Sequence, residues 1–191
     1  PLHLASMHGL TEVAMALIDE GADANASDDD GDRNTPLHHA LMRGHTEVAI
    51  ALIDKGADVN ASNNAGNTPL RVALLNGLAE AAMALIDKGA DVTARDEYGN
   101  ASLHDALWKG HTEVAMALMD KGADVNASNN AGNTPLHLAL MHGLAEVAMA
   151  LIDKGADVSA RTQDGYTPLH YALEKDYAEV AMALIDKGAD V

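Results

Sequence analysis

Thr35-Pro36-Leu37-His38 is the stretch that decides the fold, because it returns at a fixed interval. It recurs as Thr68-Pro69-Leu70-Arg71, Ala101-Ser102-Leu103-His104, Thr134-Pro135-Leu136-His137 and Thr167-Pro168-Leu169-His170, each 33 residues after the last. An earlier copy, Pro1-Leu2-His3, stands 35 residues ahead of the first, and the two extra residues fall in the acidic run Asp28-Asp29-Asp30-Gly31-Asp32. A period of this length marks a chain built from stacked units. Six units follow, at about 1–34, 35–67, 68–100, 101–133, 134–166 and 167–191, the first and last incomplete, read together as one repeat domain over 1–191.

Each unit reads as two short helices and a turn. Thr35 is a good N-cap, and Pro36 loses nothing at the first helical position, where its missing N–H would be unpaired anyway. A short helix through Ala40 and Leu41 stops at Gly44, which can take the left-handed conformation that ends helices. A second helix, roughly Thr46 to Lys55, places Val48, Ala49, Leu52 and Ile53 on one stripe. Gly56 ends it, and Ala57 to Asn67 has the Asp, Asn and Gly content of a projecting turn. Helices this short cannot bury an apolar face alone, so stability must come from stacking on neighbours. An all-α solenoid is expected.

Together, the Thr-Pro-Leu-His motif, Gly-His-Thr-Glu-Val at Gly44 to Val48 and Gly110 to Val114, and Gly-Ala-Asp-Val-Asn at Gly56 to Asn60 and Gly122 to Asn126 resemble the ankyrin repeat. The resemblance covers essentially the whole chain and implies helix-turn-helix units with projecting turn or hairpin loops and a protein-binding, non-catalytic role. It further implies that motif histidines His3, His38, His104, His137 and His170 hydrogen-bond backbone between adjacent units. Three positions depart from the pattern. Arg71 replaces a motif histidine, Ala101-Ser102 replaces Thr-Pro at the fourth helix start, and Asp176 stands where a helix-ending Gly belongs.

Composition narrows the partners. The 191 residues carry 12 Lys plus Arg against 29 Asp plus Glu, a formal charge of −17, which argues against nucleic acid and anionic membranes. Hydrophobic residues make up 48%, enough for a core, but Phe is absent and aromatics are 3%, so that core is aliphatic. There is no Cys, hence no disulfide, thiolate metal site or cysteine nucleophile. Apolar runs such as Val13 to Ile18 fall far short of the roughly 20 residues a membrane span needs. A soluble protein is expected, with the cytoplasm favoured over secretion. Pro1 is not an initiator methionine and reads as the start of a processed or trimmed chain, or of a fragment.

No catalytic, cofactor or metal site emerges. The ten histidines show no compact ligand spacing, and His45 and His111 belong to the repeat framework. The acidic run resembles a calcium loop, yet placing Gly31 at the sixth position puts Ala26 at the first, where a ligand is required. A solvated acidic loop is the preferred reading.

Recognition is read instead from what varies between units. In ankyrin-like folds the two residues before the helix-ending Gly face the inner, concave side. Here these are Met7-His8, Met42-Arg43, Leu75-Asn76, Trp108-Lys109, Met141-His142 and Glu174-Lys175, with turn-tip residues Arg95, Glu97, Tyr98, Arg161 and Tyr166 beside them. Trp, Tyr and Arg are the residue types most often found as interface hot spots. The expected partner-binding set is therefore Met42, Arg43, Leu75, Asn76, Tyr98, Trp108, Lys109, Met141, His142, Tyr166 and Lys175. A second row, Met15, Ile50, Met83, Met116, Met149 and Met182, repeats on the outward face of the second helices as an apolar ridge fit for assembly.

Two other functions remain open at this level. The first and last units keep internal apolar residues, Val13 and Leu17 in one and Val180 and Leu184 in the other, so the chain could stack end to end into filaments or rings. It could equally be the targeting segment of a larger effector. The near-identity of Ala61 to Leu70 and Ala127 to Leu136 points to recent duplication or to design.

Overall fold

The computed structural model describes residues 1–28 and 31–190; Asp29, Asp30 and Val191 lie outside the described residues. Twelve helices make up the described chain: α1 (Leu2–Met7), α2 (Thr11–Asp19), α3 (Pro36–Met42), α4 (Thr46–Asp54), α5 (Pro69–Leu75), α6 (Ala79–Asp87), α7 (Ser102–Trp108), α8 (Thr112–Asp120), α9 (Pro135–Met141), α10 (Ala145–Asp153), α11 (Pro168–Glu174) and α12 (Ala178–Asp186). The only extended pairing among the described residues is one antiparallel bridge between Arg95 and Ala101. The fold is an all-α repeat solenoid. It divides into two compact units, Pro1–Asp91 and Val92–Val191.

In the first unit α1, α3 and α5 pack side by side as one layer, and α2, α4 and α6 as a second. In the second unit α7, α9 and α11 form the first layer and α8, α10 and α12 the other. The core lies between layers and is aliphatic, as composition requires: Leu37, Leu41, Leu52, Leu70, Leu74 and Leu85 are fully buried in one unit, Leu103, Leu107, Leu118, Leu136, Leu140 and Leu151 in the other. The second helices have nine residues, too few to persist alone. Val48, Ala49, Leu52 and Ile53 of α4 show why they persist here: all four are at most 3% exposed.

Motif histidines of α3, α7 and α9 fasten these first helices to the turn beyond their partner helices. In His38, Nδ1 accepts the Thr35 backbone N–H (3.2 Å) and Nε2–H donates to the Asn67 carbonyl (3.0 Å), at the junction with the next repeat. A carbonyl can only accept and a backbone N–H can only donate, so the ring is neutral with its proton on Nε2. His104 repeats the pattern with Ala101 and Asn133, and His137 with Thr134 and Tyr166. Burial holds the pKa of all three below the ordinary histidine value. These are structural histidines, bonded as the resemblance implied.

Two further ladders run along the surface. Asn25 Oδ1 accepts the Asp58 N–H, Asn60 Oδ1 the Asp91 N–H and Asn126 Oδ1 the Asp157 N–H, each at 2.7 Å. At the C-terminal ends of the second helices, Lys55 pairs with Asp19 (2.6 Å), Lys88 with Asp54 (3.0 Å) and Lys154 with Asp120 (2.9 Å), always reaching back one repeat. Exposed pairs of this kind are worth under about 1 kcal/mol each, so they set register more than stability.

Sequence departures are absorbed locally. Ala101 cannot accept a capping hydrogen bond, yet α7 starts in register at Ser102, fixed by fully buried Leu103 and Leu107. Asp176 takes the left-handed conformation itself (φ 60°) and ends α11 where Gly serves elsewhere. The enlarged loop differs more from expectation. Asp28 is not solvated: its side chain is 10% exposed, and Oδ2 accepts from His39 Nε2–H at 2.8 Å while Oδ1 accepts the Asn34 N–H. Partial burial works to raise its pKa, but these hydrogen bonds outweigh it and hold the carboxyl below the usual value. His3 accordingly bonds Ala26 O (2.8 Å) within this loop.

Candidate functional site

In the first unit the ends of α3 and α5 present Met42 (48% exposed) and Leu75 (38% exposed), each followed by an exposed polar C-cap, Arg43 and Asn76. Both apolar residues are the last of their helix. They protrude because the chain turns away at Gly44 and Gly77 to begin the second helix.

The second unit presents the larger side chains. Trp108 ends α7 with 57% of its surface exposed, and its one ring contact among the described residues is the edge of His142, centroids 4.9 Å apart. Lys109 and Lys175 are exposed C-caps of α7 and α11, whereas Met141, last of α9, is half-buried. Tyr98 sits 63% exposed at a turn tip that is held firmly. Asp96 Oδ1 accepts the Tyr98 and Asn100 N–H groups at 2.9 and 2.7 Å, and the Arg95 guanidinium donates to Gly99 O and Ser128 O. A preorganised aromatic tip loses little entropy on binding.

Tyr166 belongs to a cluster that sequence reasoning missed. Its ring lies 5.5 Å from Tyr171 and 5.6 Å from His170, and Tyr171 in turn meets the edge of His137 at 5.9 Å. Burial, then the neighbouring Tyr166, Glu174 and Asp164, raises the Tyr171 hydroxyl above the ordinary tyrosine value. The available signal was that Tyr171 is the one aromatic at the position after the motif histidine. All five aromatic side chains of the protein, Tyr98, Trp108, Tyr166, Tyr171 and Tyr177, fall in the second unit.

The outward row is partly sheltered along most of its length. Met15, Ile50, Met83, Met116 and Met149 are all half-buried, and only Met182 stands clear at 58% exposure. Ile50 and Met149 lie in the floors of shallow grooves between second helices. Among the described residues no group of three His, Asp or Glu side chains is placed to hold a metal ion, and no helix is long and apolar enough to cross a membrane.

The family model for ankyrin repeats matches three times, over residues 2–96, 62–129 and 103–191. The chain belongs to the ankyrin repeat family. The crystal structure of an ankyrin repeat domain from Acinetobacter baumannii AYE superposes with a TM-score of 0.87 at 29% identity, covering 100% of this chain and 98% of that one. No curated protein matches the chain. Ankyrin repeats are in general protein–protein interaction modules, but 602 solved chains resemble this one, so the fold alone selects no ligand.

Proposed function

We propose that this ankyrin repeat protein is a non-catalytic scaffold that binds a protein partner through its first-helix ends and turn tips. The observation that carries the reading is Trp108, a large side chain left 57% exposed at a helix end. In the second unit Tyr98, Lys109, His142, Tyr166 and Lys175 supply polar and aromatic contacts around such an anchor. In the first unit Met42, Arg43, Leu75 and Asn76 supply an aliphatic counterpart. A buried Trp hot spot is worth about 2 kcal/mol or more, so Trp108→Ala should weaken a partner at least about 30-fold. Trp108 is also the only tryptophan, so its emission must shift to the blue when a partner covers it. A partner that binds with no emission change, and equally well to Trp108→Ala, rejects the surface.

A second reading, assembly of copies end to end, rests on apolar exposure at the two terminal repeats. Leu4, Leu10 and Val13 are 59%, 48% and 49% exposed in the first; Leu173 and Ile185 are 64% and 42% exposed in the last, beside a hollow of about 260 Å³. Charge register opposes it. Glu20 occupies the position held by Lys55, Lys88 and Lys154, so a copy stacked in repeat register would set Asp186 against Glu20 instead of forming the usual ion pair. That penalty is under about 1 kcal/mol and so biases without forbidding. Light scattering across a hundredfold concentration range decides: a constant monomer mass eliminates assembly.

A further inference from the structure

The outward faces of the second helices carry grooves that the reading above does not use. One, of about 480 Å³, runs across α2, α4 and α6 of the first unit, with Ile50 and Ala51 in its floor and Glu47 and Glu80 at its rim. The other, of about 500 Å³, lies between α10 and α12 of the second unit, with Met149 and Val180 in its floor and Glu146 and Glu179 at its rim. Both grooves share the first-turn glutamates and the Ile50 or Met149 position three residues on, so that part of the arrangement is a property of the repeat and not an accident of one loop.

Their charge is one-sided. None of the four glutamates forms an ion pair among the described residues. Lysines of these helices lie at the opposite ends, where Lys55 is spent on Asp19, Lys154 on Asp120 and Lys88 on Asp54, which lines the first groove away from Glu47 and Glu80. A carboxylate in a first turn favours the helix dipole, which accounts for one glutamate per helix. The dipole does not account for an apolar residue three positions on, which a water-facing helix surface would make polar. An apolar floor with uncompensated carboxylates on its rim complements an apolar side chain flanked by cations.

Spacing narrows the shape. Adjacent packed helices stand about 8–10 Å apart, so rim carboxylates recur at about that interval. On an α-helix, residues seven apart share a face and are separated by about 10.5 Å. We propose that each outer-helix groove is a docking site of a second kind, which takes a basic amphipathic helix of a partner protein. Its apolar side chains seat on Ile50 or Met149, and Lys or Arg seven residues apart reach Glu47 and Glu80, or Glu146 and Glu179.

The test uses the full chain and a synthetic 18-residue helical peptide with Leu on one face and Lys at seven-residue intervals. A scrambled peptide of identical composition serves as control. Binding is followed by fluorescence anisotropy of the labelled peptide. The patterned peptide should bind at least about tenfold tighter than the scrambled one. The double variants Glu47→Gln/Glu80→Gln and Glu146→Gln/Glu179→Gln should each weaken their groove by about three- to tenfold, the scale of two part-exposed ion pairs. These glutamates are exposed, and circular dichroism confirms that each variant is folded before it is measured. Trp108→Ala should leave the affinity unchanged, which separates this surface from the one proposed for the first-helix ends. Equal binding of the scrambled peptide, unchanged binding by both double variants, or loss of binding in Trp108→Ala would overturn the inference.

Discussion

Gly132 and Gly165 occupy the same position in consecutive turns of the second unit, with φ +78° and +82°. An alanine at either position pays for the left-handed backbone, about 1–2 kcal/mol. Their surroundings differ. A Cβ on Gly165 meets nothing within 4 Å, whereas one on Gly132 would come within 2.9 Å of Gln163 N, 3.0 Å of Thr162 Cα and 3.1 Å of Arg161 O. All three atoms are backbone, so the following turn must move. That turn is attached by Gln163 N–H donating to Ala131 O (3.0 Å) and Gln163 Nε2–H donating to Asn130 O (2.6 Å). Two such hydrogen bonds contribute about 0.5–1.5 kcal/mol each. Gly165→Ala should therefore cost about 1–2 kcal/mol and Gly132→Ala about 2–5 kcal/mol. Urea unfolding followed by far-UV circular dichroism measures both from midpoint shifts at constant slope. Equal losses, or a larger loss at Gly165, would show that consecutive turns do not press on each other and would refute the argument.

Three further outcomes are expected. Ala101→Thr restores an N-cap acceptor to α7 and should stabilise by about 0.5–2 kcal/mol, read from the urea midpoint. Asp176→Gly removes a side chain from a left-handed residue (φ 60°) and should raise stability by about 0.5–1 kcal/mol; a lower melting temperature would show that the carboxylate has a role of its own. Because burial depresses the pKa of His38, His104 and His137, the unfolded chain binds more protons than the folded one below the ordinary histidine value of 6.5. Stability should then be level above about pH 7 and fall as pH drops below 6.5, by at most about 1.4 kcal/mol per pH unit per histidine. Substituting His137 by Gln should flatten that slope.

How far the sequence carries the structure depends on whether a feature is local or lies between repeats. The helices were legible because Thr35, Pro36 and Gly44 encode start and stop within one unit, and the stripe of Val48, Leu52 and Ile53 encodes a buried face. Even the uncapped α7 kept its register, since buried Leu103 and Leu107 outweigh one missing hydrogen bond. Of the features made by two repeats together, the histidine bridges were legible through the family motif, whereas side-chain packing between repeats was not. The period-3.6 pattern of one helix puts Met149 on its water-facing side but cannot state how closely the next helix approaches, and Met149 is half-buried along a groove. The Tyr166, His170 and Tyr171 stack joins a turn to a helix. Asp28 turned inward because His39, at a position the repeat leaves variable, offered it a donor.

The confinement of every Tyr and the one Trp to residues 98–177 makes the first half of the chain spectroscopically blind. Near-ultraviolet absorbance and intrinsic emission record only Val92–Val191, while amide circular dichroism records both halves. Without any label or mutation, the gap between the two melting curves therefore measures how strongly the halves are yoked. Coincident curves mean one cooperative transition, and an early amide phase means that the aromatic-free half lets go first.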